Sequence, residues 1–263
     1  MKTFDDSWRA WLAENLERKC NARELVDILR KNDFDLAAIA REMGEMFPPQ
    51  ISPADPALLC SIRITRPESG ARHVESDKVQ MYVLEDFMSA EECERLVELT
   101  RSGLRPSTIT IPTPDAYFRT STSSDLVHLA DPFVDLIDAR IAETIGIARE
   151  LGESIQAQRY EVGQQFKEHT DYFQPDSDEY ERYARPRGNR TWTFMVYLTD
   201  VEAGGGTQFV ALGETFVPKR GRAVVWNNLY RDGRVNPDTL HAGLPVAAGA
   251  KVIITKWFRE LPE

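Results

Sequence analysis

Short runs of β-branched and aromatic residues, punctuated by Gly, Pro, Asn and Asp, fill the chain from about residue 154 onward. Residues 154–162, 166–173, 191–199, 207–211, 222–226 and 250–258 each read as a strand bounded by turn formers. Strands this short must bury one face against another sheet or against helices. Their clustering after a helical region predicts an α+β architecture, a β-sandwich or jelly roll with helices packed outside. No internal repeat is evident.

The upstream half reads differently. Trp8, Trp11, Leu12 and Leu16 recur at helical spacing. Asn21 followed by Glu24 resembles a capping box for a second helix with Leu25, Ile28 and Leu29 on its apolar face. Asp33 or Asp35 is positioned to cap a third helix through Leu36, Ile39 and Met43, which Pro48 and Pro49 stop. Residues 48–77 read as a connector holding one strand, Leu58 to Thr65. Val79 to Leu84 predicts a further strand. Ser89 with Glu92 opens a helix through Leu96, and Asp131-Pro132 opens an amphipathic helix carrying Phe133, Ile137 and Ile141. We divide the chain into a helical region (1–50), a connector (51–78) and one larger domain (79–263), which suits 263 residues of ordinary globular composition.

Charge and cysteine usage narrow the function. A net charge of −10 repels phosphate backbones, so nucleic acid is not an expected partner. Arg182, Arg185, Arg187 and Arg190 form a local basic cluster. Nothing basic beyond Arg41 lies on the third N-terminal helix, which argues against a DNA-reading helix-turn-helix. Cys20, Cys60 and Cys93 are odd in number and far apart, as expected of reduced thiols. No membrane span or signal peptide is legible. These features predict a soluble, cytoplasmic protein; they set no oligomeric state.

Chemistry concentrates on two of the four histidines. His169 and Asp171 are two residues apart, so a strand would present both on one face. His241 adds a second imidazole. Two imidazoles and one carboxylate on one face suit non-haem Fe(II), and zinc hydrolases use similar sets. Lys251 follows His241 by ten residues (251 − 241), with Pro245 and Gly249 marking a bend between them. That spacing predicts both pointing inward from neighbouring strands. A lysine pointing into a barrel needs an anionic partner.

Several motifs taken together resemble the prolyl 4-hydroxylase family of Fe(II)/2-oxoglutarate-dependent dioxygenases. They are Arg159-Tyr160-Glu161-Val162-Gly163-Gln164 leading into His169-x-Asp171, then Gly204-Gly205-Gly206-Thr207-Gln208-Phe209, then His241-Ala-Gly-Leu-Pro245 with Gly249 and Lys251, and a closing Lys256-Trp257. The resemblance covers residues 79 to 260. It implies a double-stranded β-helix core, iron ligation by His169, Asp171 and His241, and pairing of Lys251 with the distal carboxylate of 2-oxoglutarate. Tyr160 and Thr207 match positions that hydrogen-bond that carboxylate. Trp257 shares strand parity with Lys251 and is expected to wall the same pocket. Ascorbate is a candidate reductant. Val252 departs from the aromatic residue that many relatives place after the lysine. The retained Asp171 implies hydroxylation rather than halogenation, because halogenase relatives leave that position open.

The expected reaction is hydroxylation of an unactivated C–H, with a prolyl residue in a peptide or protein as the favoured substrate. The same chemistry on a free amino acid or other small molecule, and a metal-binding interaction module without turnover, are the alternatives. The polar segment from Phe173 to Arg190 reads as a lid or peptide-binding loop, or as a solvated insertion.

Overall fold

In the computed structural model of the chain, the described residues are 2–34, 36–48, 64, 70–101, 103–110, 113–175, 177–184, 186–230 and 233–262. They divide into two compact units, Met1–Ser61 with Tyr230–Arg234, and Ile62–Leu229 with Val235–Glu263.

The first unit carries three helices, α1 (Asp6–Glu17), α2 (Ala22–Lys31) and α3 (Leu36–Met43). Asp5 caps α1 by accepting from the Trp8 amide, and Asn21 caps α2 by accepting from the Arg23 amide. Leu12, Leu25, Val26, Leu29 and Ile39 close its core, with Trp8, Trp11 and Leu16 against them. Val26 takes the buried place expected of Ile28, which is exposed. Asp33 does not cap α3: it sits just past α2 with φ of 67°. Asp35, Pro49, Cys60 and most of the expected strand Leu58 to Thr65 lie outside the described residues.

The second unit contains helices α4 (Ala90–Arg101) and α5 (Pro132–Ile145) and fourteen strands among the described residues. In chain order these are β1 (Arg72–His73), β2 (Met81–Leu84), β3 (Arg105–Pro106), β4 (Thr122–Asp125), β5 (Gln156–Tyr160), β6 (Phe166–His169), β7 (Arg190–Tyr197), β8 (Ala203–Gly204), β9 (Thr207–Phe209), β10 (Glu214–Phe216), β11 (Ala223–Asn227), β12 (His241–Gly243), β13 (Val246–Ala248) and β14 (Lys251–Arg259). The main sheet runs β1-β2-β11-β7-β14-β5-β4-β3, the facing sheet β10-β9-β12-β6, and β13 pairs with β8. This is the double-stranded β-helix, or jelly roll, with helices outside.

Strand parity builds the two layers of core. Trp192, Phe194 and Val196 of β7, with Val252, Ile254 and Phe258 of β14, pack with Leu96 of α4 and with Ile137, Ile141 and Ile145 of α5. The odd-numbered residues of the same strands turn the other way. Met195, Tyr197 and Ile253 join Val79, Met81, Phe209 and Trp226 between the sheets. All nine residues of β14 are buried. A one-residue register slip would therefore exchange its helix-facing and interior sets.

Both predicted capping sites form. Ser89 and Glu92 exchange side chain–backbone hydrogen bonds at 3.2 and 3.0 Å, and Asp131 accepts from the Phe133 amide at 2.8 Å. Strands β1, β3, β4, β8, β10 and β13 were not among those expected; all are only two to four residues long. Cys20 and Cys93 are free thiols. Among the described residues, no helix is long and apolar enough to cross a membrane.

Candidate active site

Strands β6 and β12 pair in the smaller sheet and set His169 opposite His241. Their ring centroids are 4.3 Å apart. Strand β6 ends at His169, four residues earlier than expected (173 − 169). Asp171 therefore lies in a bend rather than on the strand, and the turning chain brings its carboxylate to the imidazoles. One ligand-type atom from each of the three residues lies within 4.8 Å of the others.

Neighbouring groups fix each side chain. His169 Nδ1 is 2.7 Å from the Lys167 carbonyl oxygen and His241 Nδ1 is 2.9 Å from that of Thr239. A carbonyl only accepts, so both Nδ1 atoms carry the proton and both Nε2 lone pairs stay free for a metal. Phe166 stacks on His169 at 3.5 Å, and Phe209 and Trp226 flank His241. Behind Asp171 runs a buried chain of donors. Thr193 donates to Asp171 Oδ2 (2.7 Å), Asn228 Nδ2 to Thr193 Oγ1 (2.9 Å), and Trp226 Nε1 to Asn228 Oδ1 (3.0 Å).

The electrostatics suit a bound cation. Loss of hydration and the neighbouring His241 push the His169 imidazole down to about 3, against the opposing pull of Asp171. Burial disfavours the Asp171 anion, but the two imidazoles, Arg190 and the Thr193 hydroxyl outweigh it and hold the carboxyl below its ordinary range. Thr193→Val removes the hydroxyl while keeping the shape. We expect about 10- to 100-fold weaker Fe(II) binding, as is typical when a ligand's hydrogen-bond partner is lost. An anaerobic metal titration checks this, and unchanged affinity would remove Thr193 from the account.

The triad opens into a cavity of about 710 Å³, which is also lined by Tyr160, Thr207, Lys251 and Trp257. All the residues singled out in the sequence thus meet in one place. Lys251 is 1% exposed on β14, in register with Tyr160 on β5. It does not neighbour His241, as the spacing had predicted; the two lie on facing sheets, with β13 in the intervening loop. Its Nζ donates one long hydrogen bond, 3.5 Å, to Thr207 Oγ1, and stands 5.0 and 5.7 Å from the ring centroids of Tyr160 and Tyr197. Among the described residues no carboxylate pairs with it. Burial alone draws its ammonium down to about 7.

The hydroxyls around it are ordered. Tyr160 donates to Gln158 Oε1 at 2.7 Å, and the Tyr197 hydroxyl is hydrogen-bonded to Thr207 Oγ1 (2.7 Å) and to the Phe216 carbonyl oxygen (3.0 Å). Gly243 leaves room beside the ammonium, since a Cβ there would lie 3.6 Å from Nζ. The glycine run before Thr207 has a backbone cause. Gly204 has φ of 75°, and a Cβ on it would meet the Pro245 carbonyl oxygen at 2.4 Å, against the partner strand β13.

Two cavity residues had no assigned role in the sequence. Arg190, read as part of a basic cluster, is instead turned into the cavity, its side chain 17% exposed. It forms a fork on Glu153 (2.8 and 2.7 Å) and lies 4.0 Å over the Trp257 ring. Arg119 Nη1 donates to the Thr108 carbonyl at 2.7 Å, and its guanidinium covers Phe166 at 4.7 Å. Glu153 and Arg190 are 37 residues apart, so no local pattern announces the pair.

Comparison with known proteins agrees with this geometry. A family model described as the 2OG-Fe(II) oxygenase superfamily matches residues 155–259, which contain the triad and Lys251. Prolyl 4-hydroxylase 5 of Arabidopsis thaliana is 33% identical over 215 residues, covering 72% of this chain and 72% of that protein. The chain belongs to the prolyl 4-hydroxylase family. Prolyl 4-hydroxylase subunit alpha-2 of Gallus gallus is 36% identical over 179 residues, 66% of this chain but 33% of the subunit. The chain therefore spans about a third of the length of the vertebrate α-subunits it matches. Among solved structures, the 2OG complex of the viral collagen prolyl hydroxylase from Paramecium bursaria Chlorella virus-1 superimposes with a TM-score of 0.54 at 26% identity, covering 68% of this chain and 94% of that one. Members of this family use Fe(II) and 2-oxoglutarate.

Proposed function

We propose that residues 79–263 form an oxygenase domain that uses Fe(II) and 2-oxoglutarate to hydroxylate a prolyl residue of a peptide or protein. The observation that carries this reading is Lys251. It is a buried ammonium with no carboxylate partner among the described residues, in the cavity that also holds the two-histidine, one-carboxylate cluster. Metal-assisted hydrolysis does not itself require such a group, whereas a dicarboxylate that also reaches the metal accounts for it directly.

The donor set fits the metal. His169 and His241 would hold Fe(II) through Nε2, and Asp171 through its carboxylate. When bound, Fe(II) supplies, with dioxygen and 2-oxoglutarate, the oxidising chemistry that replaces C–H by C–OH while 2-oxoglutarate becomes succinate and carbon dioxide. The protein's part is holding and orienting. Lys251 and Thr207 receive the distal carboxylate, and Tyr160 turns its hydroxyl from Gln158 toward it. Trp257 and Ile253 wall the cavity from β14. The Thr193–Asn228–Trp226 chain keeps the Asp171 carboxylate aimed and anionic.

The prolyl assignment rests on the family and on the names of its members. Its test is the protein with Fe(II), 2-oxoglutarate, dioxygen and a peptide of Pro-Pro-Gly repeats. Succinate release with gain of one oxygen atom on proline is expected. Turnover stimulated by free amino acids but not by the peptide would replace the substrate assignment and keep the chemistry.

A further inference from the structure

Arg259, the last residue of β14, does not line the cavity, yet it is 5% exposed and makes four hydrogen bonds. Its Nη1 donates to Glu153 Oε1 at 2.9 Å. Its Nε and Nη2 donate to the Gly188 carbonyl oxygen at 3.1 and 2.7 Å, and Nη2 also reaches the Tyr183 carbonyl oxygen. Its guanidinium stands 4.9 Å from the Phe173 ring centroid. These contacts fall at the start, middle and end of the polar segment that follows the two upstream triad residues. The same Glu153 carboxylate grips Arg190, whose guanidinium is also 4.9 Å from Phe173. Asn189 closes the base of the segment by exchanging hydrogen bonds with the Phe173 backbone, both at 2.8 Å.

The segment matters because Gln174, Glu179 and Tyr183 line the cavity from it, together with Arg119 and Thr108. Its own packing is slight: it holds one turn of π-helix, Tyr180–Ala184, and among its described residues from Gln174 to Gly188 only Ala184 and Gly188 are buried. A guanidinium is suited to this work. Its planar fork makes four hydrogen bonds here, to two carbonyls and a carboxylate, whereas an ammonium has three N–H donors on a single nitrogen and cannot reproduce all four.

We propose that Arg259 is a positioning residue for the substrate: by tying the Tyr183 and Gly188 carbonyls to Glu153, it holds the 174–188 segment in the shape that receives the peptide. Arg259 touches neither the metal cluster nor the lysine end of the cavity. Its loss should therefore separate peptide recognition from co-substrate handling. The inference rests on the proposed activity, and the test contains one arm that does not.

That arm is amide hydrogen exchange by mass spectrometry on the full chain. In Arg259→Met, amides across 174–188 should exchange at least about tenfold faster, with β6, β7 and β12 as protected as in the wild type. Arg259→Lys keeps the charge on Glu153 but not both carbonyl contacts, and should show the same local loosening; it decides the matter if the methionine variant does not fold. The kinetic arm uses the Pro-Pro-Gly peptide. Its KM should rise about tenfold, while the KM for 2-oxoglutarate and the peptide-independent release of succinate stay unchanged. Unaltered exchange in the segment overturns the proposal, as does loosening that spreads through the core strands, or equal changes in both KM values. Wild-type protein inert toward the peptide would count against the prolyl assignment, and the exchange result would still decide the role of Arg259.

Discussion

Lys251→Met is expected to make the protein more stable without its co-substrate and to cost 2-oxoglutarate roughly two to three and a half orders of magnitude in affinity. Both effects follow from one fact: the ammonium is buried, and no described residue offers it an anion to pair with. The apo protein carries an uncompensated desolvation cost. An apolar side chain of similar length removes it, and such replacements of buried charge commonly stabilise by about 1–4 kcal/mol. For a chain of this size that is several degrees in Tm, at roughly 2–4 °C per kcal/mol. When the distal carboxylate binds, the same methionine leaves that charge alone in a low-dielectric pocket. Breaking a buried pair in this way costs about 3–5 kcal/mol, which is the affinity loss stated. Thermal melts of both proteins with and without 2-oxoglutarate check both halves. A variant that is less stable without ligand and still stabilised by it would contradict the role.

The pH dependence follows with its sign. The groups facing Lys251 are Tyr160, Tyr197 and Thr207, and burial raises both tyrosines, so they stay neutral through the physiological range. With Lys251 at about 7 in the apo protein, ligand binding takes up a proton above that pH. The affinity for 2-oxoglutarate should be flat below pH 7 and fall toward tenfold per unit above it. The stability of the apo protein runs the opposite way. The unfolded chain holds the lysine proton more tightly, so stability rises from pH 7 toward the ordinary lysine value.

Asp171→Ala is the second large expectation. It removes the only carboxylate of the cluster and leaves two imidazoles, along with a Thr193 hydroxyl that has lost its acceptor. Loss of an outer hydrogen-bond partner already costs about 10- to 100-fold, so loss of the ligand should exceed a hundredfold in Fe(II) affinity and abolish 2-oxoglutarate turnover. Thr193→Val should fall between this variant and the wild type. If it matched Asp171→Ala, the hydrogen-bond chain would matter more than the ligand, and the ordering of roles proposed here would be wrong.

Much of this was legible in the residues because it is governed locally. Capping by Ser89, Glu92 and Asp131 depends on neighbours within three positions. The alternation of β7 and β14 declares which residues face helices and which face the cavity, so Trp257 followed from its parity with Lys251. The triad was legible because imidazoles are scarce here and two of the four sit in informative contexts. What stayed hidden depends on distant pairing. The bend after His169 carries Asp171 to its place, and no strand rule foresees it. His241 and Lys251 came to face each other across two sheets because a three-residue strand, too short to show a period, intervenes. Arg190 reads as one more surface arginine until Glu153 is beside it.

The measurement closest to the central claim is an anaerobic titration of the purified protein with Fe(II) and then 2-oxoglutarate, followed by visible absorbance. The account predicts a metal-to-ligand charge-transfer band that needs both additions, is lost in His169→Ala, and saturates only at far higher 2-oxoglutarate in Lys251→Met. Metal-loaded wild-type protein that shows no band on adding 2-oxoglutarate would contradict it.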